Sequence, residues 1–176
     1  MEIRYYKHYS SHLNRDMEFK VYGHAGKPVL FIPCQGGRFF DFENFKMIDH
    51  WAGWIEAGRC TVYACDCIDN ESWAAKGADN RWRIENHERW FNYITQELVP
   101  YIKHLSGERN GYDQGILTFG ASMGAMHAAN AEALISTAHL LMTKRVNLAM
   151  RIVPGGNHSE ASWEKQIPIF MDCLGL

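Results

Sequence analysis

The sequence predicts a single α/β domain built on a mainly parallel sheet, and three observations carry that reading. Short apolar runs alternate with amphipathic stretches of helical period, the order of a chain that winds helices around a parallel sheet. One run, Val29-Leu30-Phe31-Ile32, is apolar without interruption, as suits a strand covered on both faces. Another, Ile116-Leu117-Thr118-Phe119, leads directly into Gly120-Ala121-Ser122-Met123-Gly124 and then Ala125-Met126-His127-Ala128-Ala129, an order of strand, tight turn and helix with a serine at the apex.

In chain order, residues 2–9 and 16–23 read as two strands flanking a polar turn, with Met17, Phe19 and Val21 alternating against polar neighbours. This first pair is expected to be antiparallel. Lys27-Pro28 introduces the buried strand, which ends at Pro33-Cys34-Gln35-Gly36-Gly37. Residues 41–57 read as one amphipathic helix around Phe45, Ile48, Trp51 and Ile55, and 61–65 as the next strand. A polar loop follows from Asp66 to about Asn80. Residues 83–105 have helical period through Ile84, Trp90, Ile94, Leu98 and Ile102, with Pro100 as a kink or break. After the serine turn, Met123 to about Lys144 reads as one long helix, 148–153 as a strand, Pro154-Gly155-Gly156-Asn157-His158 as a loop, and Glu160 to Leu174 as a helix interrupted near Pro168.

A chain of 176 residues fits one domain, 1–176, and its 47% hydrophobic content is that of a globular protein. The net charge of -2 gives no electrostatic case for nucleic acid or an anionic membrane surface. No apolar run is long enough for a transmembrane helix, and the polar, mixed-charge start is not a secretory signal. Five scattered cysteines, an odd number, suggest a reducing compartment and hence the cytoplasm. Cys65-x-Cys67 lacks the spacing and second ligand pair of a zinc site and reads as buried strand residues.

The glycines around Ser122 have a physical purpose: on so sharp a turn, a side chain at 120 or 124 would collide with the neighbouring strand or helix. The turn lifts the hydroxyl clear of the sheet, the requirement for a nucleophile. The alternative is a serine that only caps its helix. A serine also needs a base. Among nine histidines, His158 stands in a Gly-rich loop after the last strand, on the rim that parallel strands share. His127 reads as a packed or surface helical histidine, and His8, His12, His24, His50, His87, His104 and His139 as surface residues. An oxyanion hole needs two aimed N–H groups. Met123, just after the serine, supplies one, and Gly37 in the loop after the neighbouring strand is the candidate for the second.

On these residues the chain resembles the α/β-hydrolases, specifically small esterases of the esterase D and enterochelin-esterase-like type. The resembling stretches are the hairpin from Arg4-Tyr5-Tyr6 to Gly23, the loop Phe31 to Phe40, Gly120-Ala121-Ser122-Met123-Gly124, and the segment Pro154 to Trp163. The resemblance implies a carboxylic-ester hydrolase with a Ser-His-acid triad, a small-molecule ester as partner, and neither metal nor organic cofactor. Gln35 stands where many hydrolases carry the His of an His-Gly motif.

The chain departs from that pattern between Ser122 and His158. Residues 123–157 contain no aspartate and one glutamate, Glu132, and leave no room for two further strands and helices. An unbroken helix would carry Glu132 about 15 Å from the serine. The acid is therefore open among Asp66, Asp69, Glu160 and none. The fold expected is a compact α/β-hydrolase of about six strands that lacks two late strands, with 148–153 beside the Ser122 strand through a right-handed crossover. Otherwise an exposed edge would invite a homodimer.

The chain is expected to be a serine esterase for short-acyl esters, with Ser122 as nucleophile, His158 as base, Asp66 as the acid of first choice, and Gly37 and Met123 as oxyanion donors. Trp73, Trp82, Phe39, Phe40 and Trp163 line either an acyl pocket or the core. The alternatives are an acyltransferase using the same acyl-enzyme and a non-catalytic protein that has lost its acid.

Overall fold

The computed structural model describes residues 1–130 and 164–174. The strands are β1 (Ile3–Ser10), β2 (Arg15–Tyr22), β3 (Lys27–Ile32), β4 (Cys60–Cys65) and β5 (Leu117–Gly120). The helices are α1 (Asp41–Asn44), α2 (Met47–Glu56), α3 (Asn80–Asn92), α4 (Val99–Asn110), α5 (123–130) and α6 (Ile167–Leu174). The expected strand 148–153, the long helix beyond 130, His139 and the His158 loop lie outside the described residues. So do Glu132, Glu160 and Trp163.

The described strands form one sheet in the order β1-β2-β4-β3-β5. β1 pairs antiparallel with β2, and β2 antiparallel with β4. β3 lies parallel between β4 and β5, with Ile32 opposite Gly120. The antiparallel entry and parallel centre match the sequence reading. β3 is followed by a strand on one side and later by a strand on the other. The exits of β3 and β5 therefore flank the point where strand order reverses, which is where open α/β sheets place ligands.

Both faces are covered. On one, Phe42, Met47, Trp51 and Ile55 of α1 and α2 pack with Ile167 and Met171 of α6 on Val29, Phe31, Val62 and Ala64. On the other, Trp90, Ile94, Leu98 and Ile102 pack on Phe19, Leu30, Ile32 and Tyr63. This accounts for the uninterrupted apolar character of β3: alternate side chains enter opposite cores.

Three helical expectations change. Residues 41–57 are two helices rather than one, because the chain turns at Lys46 with φ 56. Phe42 and Met47 take the buried positions, and Phe45 is exposed. The helix expected from 83 begins at Asn80, where the Asp79 carboxylate caps it by accepting the Trp82 N–H at 3.0 Å. Ile84 lies on its exposed face. Pro100 does not break this stretch: a π-helical turn, Tyr93–Leu98, absorbs the change, and Pro100 sits in the first turn of α4, where its missing N–H has no cost. The interruption expected near Pro168 is present as a turn at 165–166, and Pro168 stands in the first turn of α6.

Candidate active site

The turn after β5 has the strained geometry that its sequence implies. Ser122 has φ 57, left-handed backbone that a serine adopts only when its surroundings impose it. The surroundings are two backbone contacts. A Cβ on Gly120 would stand 2.3 Å from the Gly124 carbonyl oxygen, and one on Gly124 would stand 2.4 Å from the carbonyl oxygens of Ile32 and Pro33. The turn is thus pressed against itself and against the exit of β3. α5 begins directly after Ser122, so its first amides surround the serine. Met123, the first residue of α5, places its N–H directly after Ser122 at the start of the helix.

The loop after β3 is held on all sides. The Gly36 N–H donates to Asp69 Oδ2 at 3.2 Å, the Gly37 N–H to the Cys34 carbonyl at 2.9 Å, the Arg38 N–H to Asp41 Oδ2 at 2.9 Å, and the Phe39 N–H to Asp66 Oδ1 at 2.8 Å. The structure therefore places Gly37 in the expected loop, with its amide closing a turn. Gly37 is buried, and a Cβ there would stand 2.7 Å from Pro33 Cβ and 2.8 Å from both Asp41 Oδ2 and the Cys34 carbonyl. Gln35 is exposed at the tip.

The two candidate acids after β4 have separate partners. Asp66 Oδ1 accepts both Arg38 Nε and the Phe39 N–H at 2.8 Å, while none of the described residues donates to Oδ2. Burial pushes the Asp66 carboxyl above the usual range, and the Arg38 and Phe39 hydrogen bonds only partly offset it. Trp90 Nε1 donates to the Asp66 carbonyl at 3.0 Å and anchors α3 to this rim. Since β4 and β5 flank β3, Asp66 and Ser122 leave the sheet two strand spacings apart, about 10 Å.

Asp69 faces elsewhere. Its Oδ1 lies 2.8 Å from His127 Nε2, and the side chains are 2% and 1% exposed. Burial pushes the Asp69 carboxyl up, but the His127 hydrogen bond and charge, with the Cys67 and Gly36 donors, hold it below the usual range. His127 is therefore a packed histidine, as expected, but one hydrogen-bonded to a buried carboxylate and wedged against Trp90 and His87 at ring separations of 4.9 and 5.3 Å. His87, expected at the surface, is half-buried against Trp73, and burial lowers its pKa. No spacing rule links positions 69 and 127, so sequence reasoning missed this pair.

The aromatic candidates divide. Phe39 is buried against Tyr5 and Phe40, with Arg38 over both phenyl rings. Trp73 and Trp82 are each 44% exposed, and Trp73 lines a cleft of about 240 Å³ with Ser72, Asn80, Arg83 and Ile84. Cys60 and Cys65 are buried strand thiols and Cys67 is half-buried in the following loop; no metal-binding cluster occurs among the described residues. No helix among them is long and apolar enough to cross a membrane.

No protein-family model matches the sequence, and no curated protein matches it. Solved structures do match in fold. An S-formylglutathione hydrolase from Agrobacterium tumefaciens is similar at 18% identity and TM-score 0.54, over 74% of this chain and 52% of its own. A ferulic acid esterase from Anaeromyces mucronatus is similar at 12% identity and TM-score 0.57, over 77% of this chain and 55% of its own. The fluorophosphonate-binding serine hydrolase F of Staphylococcus aureus is similar at 12% identity and TM-score 0.52, over 96% of this chain and 74% of its own. The chain thus spans about half the length of the first two. The open mixed sheet with flanking helices matches these neighbours in overall fold, which is α/β-hydrolase-like and shortened.

Proposed function

We propose that this chain is a serine hydrolase that cleaves small carboxylic esters through an acyl-enzyme on Ser122. The observation that carries the reading is the left-handed Ser122, held at φ 57 between β5 and α5 beside the exit of β3. Strain of about 1–3 kcal/mol at a serine persists where function repays it.

In this reading Ser122 Oγ attacks the ester carbonyl while His158, outside the described residues, accepts its proton. His158 then gives that proton to the departing alkoxide as the acyl–oxygen bond breaks, and water, deprotonated in turn, releases the acid. Asp66 is the acid that orients His158: its Oδ2 faces no donor among the described residues, whereas Asp69 is committed to His127. The Met123 amide is the first oxyanion donor, and Gly37 becomes the second by exchanging its bond to the Cys34 carbonyl for the oxyanion. Ser122→Ala tests the assignment. Turnover of p-nitrophenyl acetate should fall by about a thousandfold or more, and unchanged turnover contradicts it.

One observation favours a second reading, a non-catalytic protein of hydrolase fold. The Gly36 and Gly37 amides already have internal acceptors. Under that reading the loop never turns, and Ser122 does not react with a phosphonate.

A further inference from the structure

We propose that Asp69 is a positioning residue. It ties the loop after β3 to the helix that carries the nucleophile and so keeps the proposed oxyanion donors and Ser122 in one register. The inference rests on the Ser122 reading above.

One buried carboxylate spans two walls of the site. Asp69 Oδ2 accepts the Gly36 N–H at 3.2 Å, and Oδ1 pairs with His127 Nε2 at 2.8 Å. Gly36 belongs to the loop leaving β3; His127 lies on α5, just over one helical turn past Ser122. The same stretch after β4 grips the loop again, since the Cys67 thiol and N–H both point at the Gly37 carbonyl, at 3.1 and 3.4 Å. Gly36 itself has φ 68 and sits against Asn70, whose Oδ1 a Cβ would approach to 3.1 Å. On the far side, His127 cannot swing away, because the rings of Trp90 and His87 pack against it.

The chemistry of this clamp is specific to a carboxylate. The Gly36 N–H meets one oxygen and His127 Nε2 the other, so both oxygens must accept. An asparagine has one accepting oxygen and turns an N–H toward the other donor. The arm that loses its acceptor leaves a buried donor unpaired, and the loop or the helix must shift to relieve it. Displacements of about 1 Å near a reacting centre cost up to a hundredfold in rate. A residue that merely stabilised the fold would not have this effect on each folded molecule.

The full chain is tested with Asp69→Asn, His127→Gln and His127→Ala. Glutamine keeps an N–H near the position of Nε2, whereas alanine removes it. Two quantities are read: amide hydrogen exchange at Gly36 and Gly37, which needs no activity, and the second-order rate of Ser122 phosphonylation by a fluorophosphonate, corrected for the folded fraction. Asp69→Asn is expected to speed Gly36 exchange and slow phosphonylation, each by about tenfold or more. KM for p-nitrophenyl acetate should stay within about twofold while kcat falls. His127→Gln should keep most of the phosphonylation rate that His127→Ala loses. If exchange and labelling per folded molecule are unchanged in Asp69→Asn, or if glutamine and alanine at 127 are equivalent, the clamp is overturned. Should Asp69→Asn fail to fold, the His127 pair decides. If the parent chain never labels, the esterase reading fails, and Gly36 exchange alone then decides whether the clamp exists.

Discussion

The Cβ that Gly124 lacks would stand 2.4 Å from the carbonyl oxygen of Pro33, so the helix that follows Ser122 and the exit of β3 meet backbone to backbone. No side-chain rotation can relieve such a contact. Gly124→Ala should therefore separate the two segments at a cost of about 3 kcal/mol and lower Ser122 reactivity with it. Urea unfolding with an unchanged slope checks the stability, and phosphonate labelling the reactivity. A variant as stable and reactive as the parent would show that the turn is not closed against β3.

Ser122 itself predicts a gain. Its left-handed backbone is strained for a serine but relaxed for glycine. Removing about 1–3 kcal/mol of strain, less about 0.5–1 kcal/mol for the freer unfolded glycine chain, leaves a net stabilisation of about 1 kcal/mol. Ser122→Gly should unfold at a higher temperature than both the parent and Ser122→Ala, while losing all esterase activity. A lower midpoint than Ser122→Ala would mean that the serine is not strained.

The two aspartates after β4 should respond to acid with opposite signs. The Asp69 carboxyl is held below its ordinary value, so its stabilisation is complete above the unfolded value near ~3.9 and is lost as pH falls through the lower folded value. The Asp66 carboxyl is raised, so its ionisation costs stability as pH rises from the unfolded to the folded value, and acidification removes that cost. The stability difference between the parent and Asp69→Asn should shrink between about pH 5 and pH 2. For Asp66→Asn the parent should gain on the variant over the same range. Chemical denaturation at several pH values reads both, and parallel pH profiles for the two variants contradict the assignment.

The cysteines of β4 and of the loop after it should be inert. Burial pushes the Cys60 and Cys67 thiols up to about 12, and Cys65 also well above its ordinary range. At pH 8 a thiol of that pKa is about one part in 10⁴ thiolate. Iodoacetamide should leave all three unmodified in the folded chain and alkylate them in urea; rapid native modification of Cys60 or Cys65 would mean that the sheet opens readily.

The local order of the chain was legible because its signals are short-range. The alternation of β2, the uninterrupted apolar run of β3 and the glycines on either side of Ser122 each require one conformation within a few residues. The break at Lys46 was not legible, because a lysine in left-handed backbone carries no sequence mark. Nor was the shift at Pro100, where a π-helical turn upstream re-seats the proline at a helix start. The rim was read in part. Asp66 and Asp69 were rightly placed after β4, but only three-dimensional packing divides their roles: one carboxyl meets Arg38 and Phe39, the other His127 and Gly36. Partners 58 positions apart leave no periodic trace in a sequence.

We propose that Ser122 is an activated nucleophile on an assembled site. The direct test is stoichiometric reaction of the folded full chain with a fluorophosphonate, the adduct being located by mass spectrometry and compared with Ser122→Ala. One adduct per chain is expected, on Ser122, formed within minutes and absent from the variant. A folded chain that takes up no label, or takes it up elsewhere at the same rate in the variant, would show that the serine turn is retained as scaffold alone.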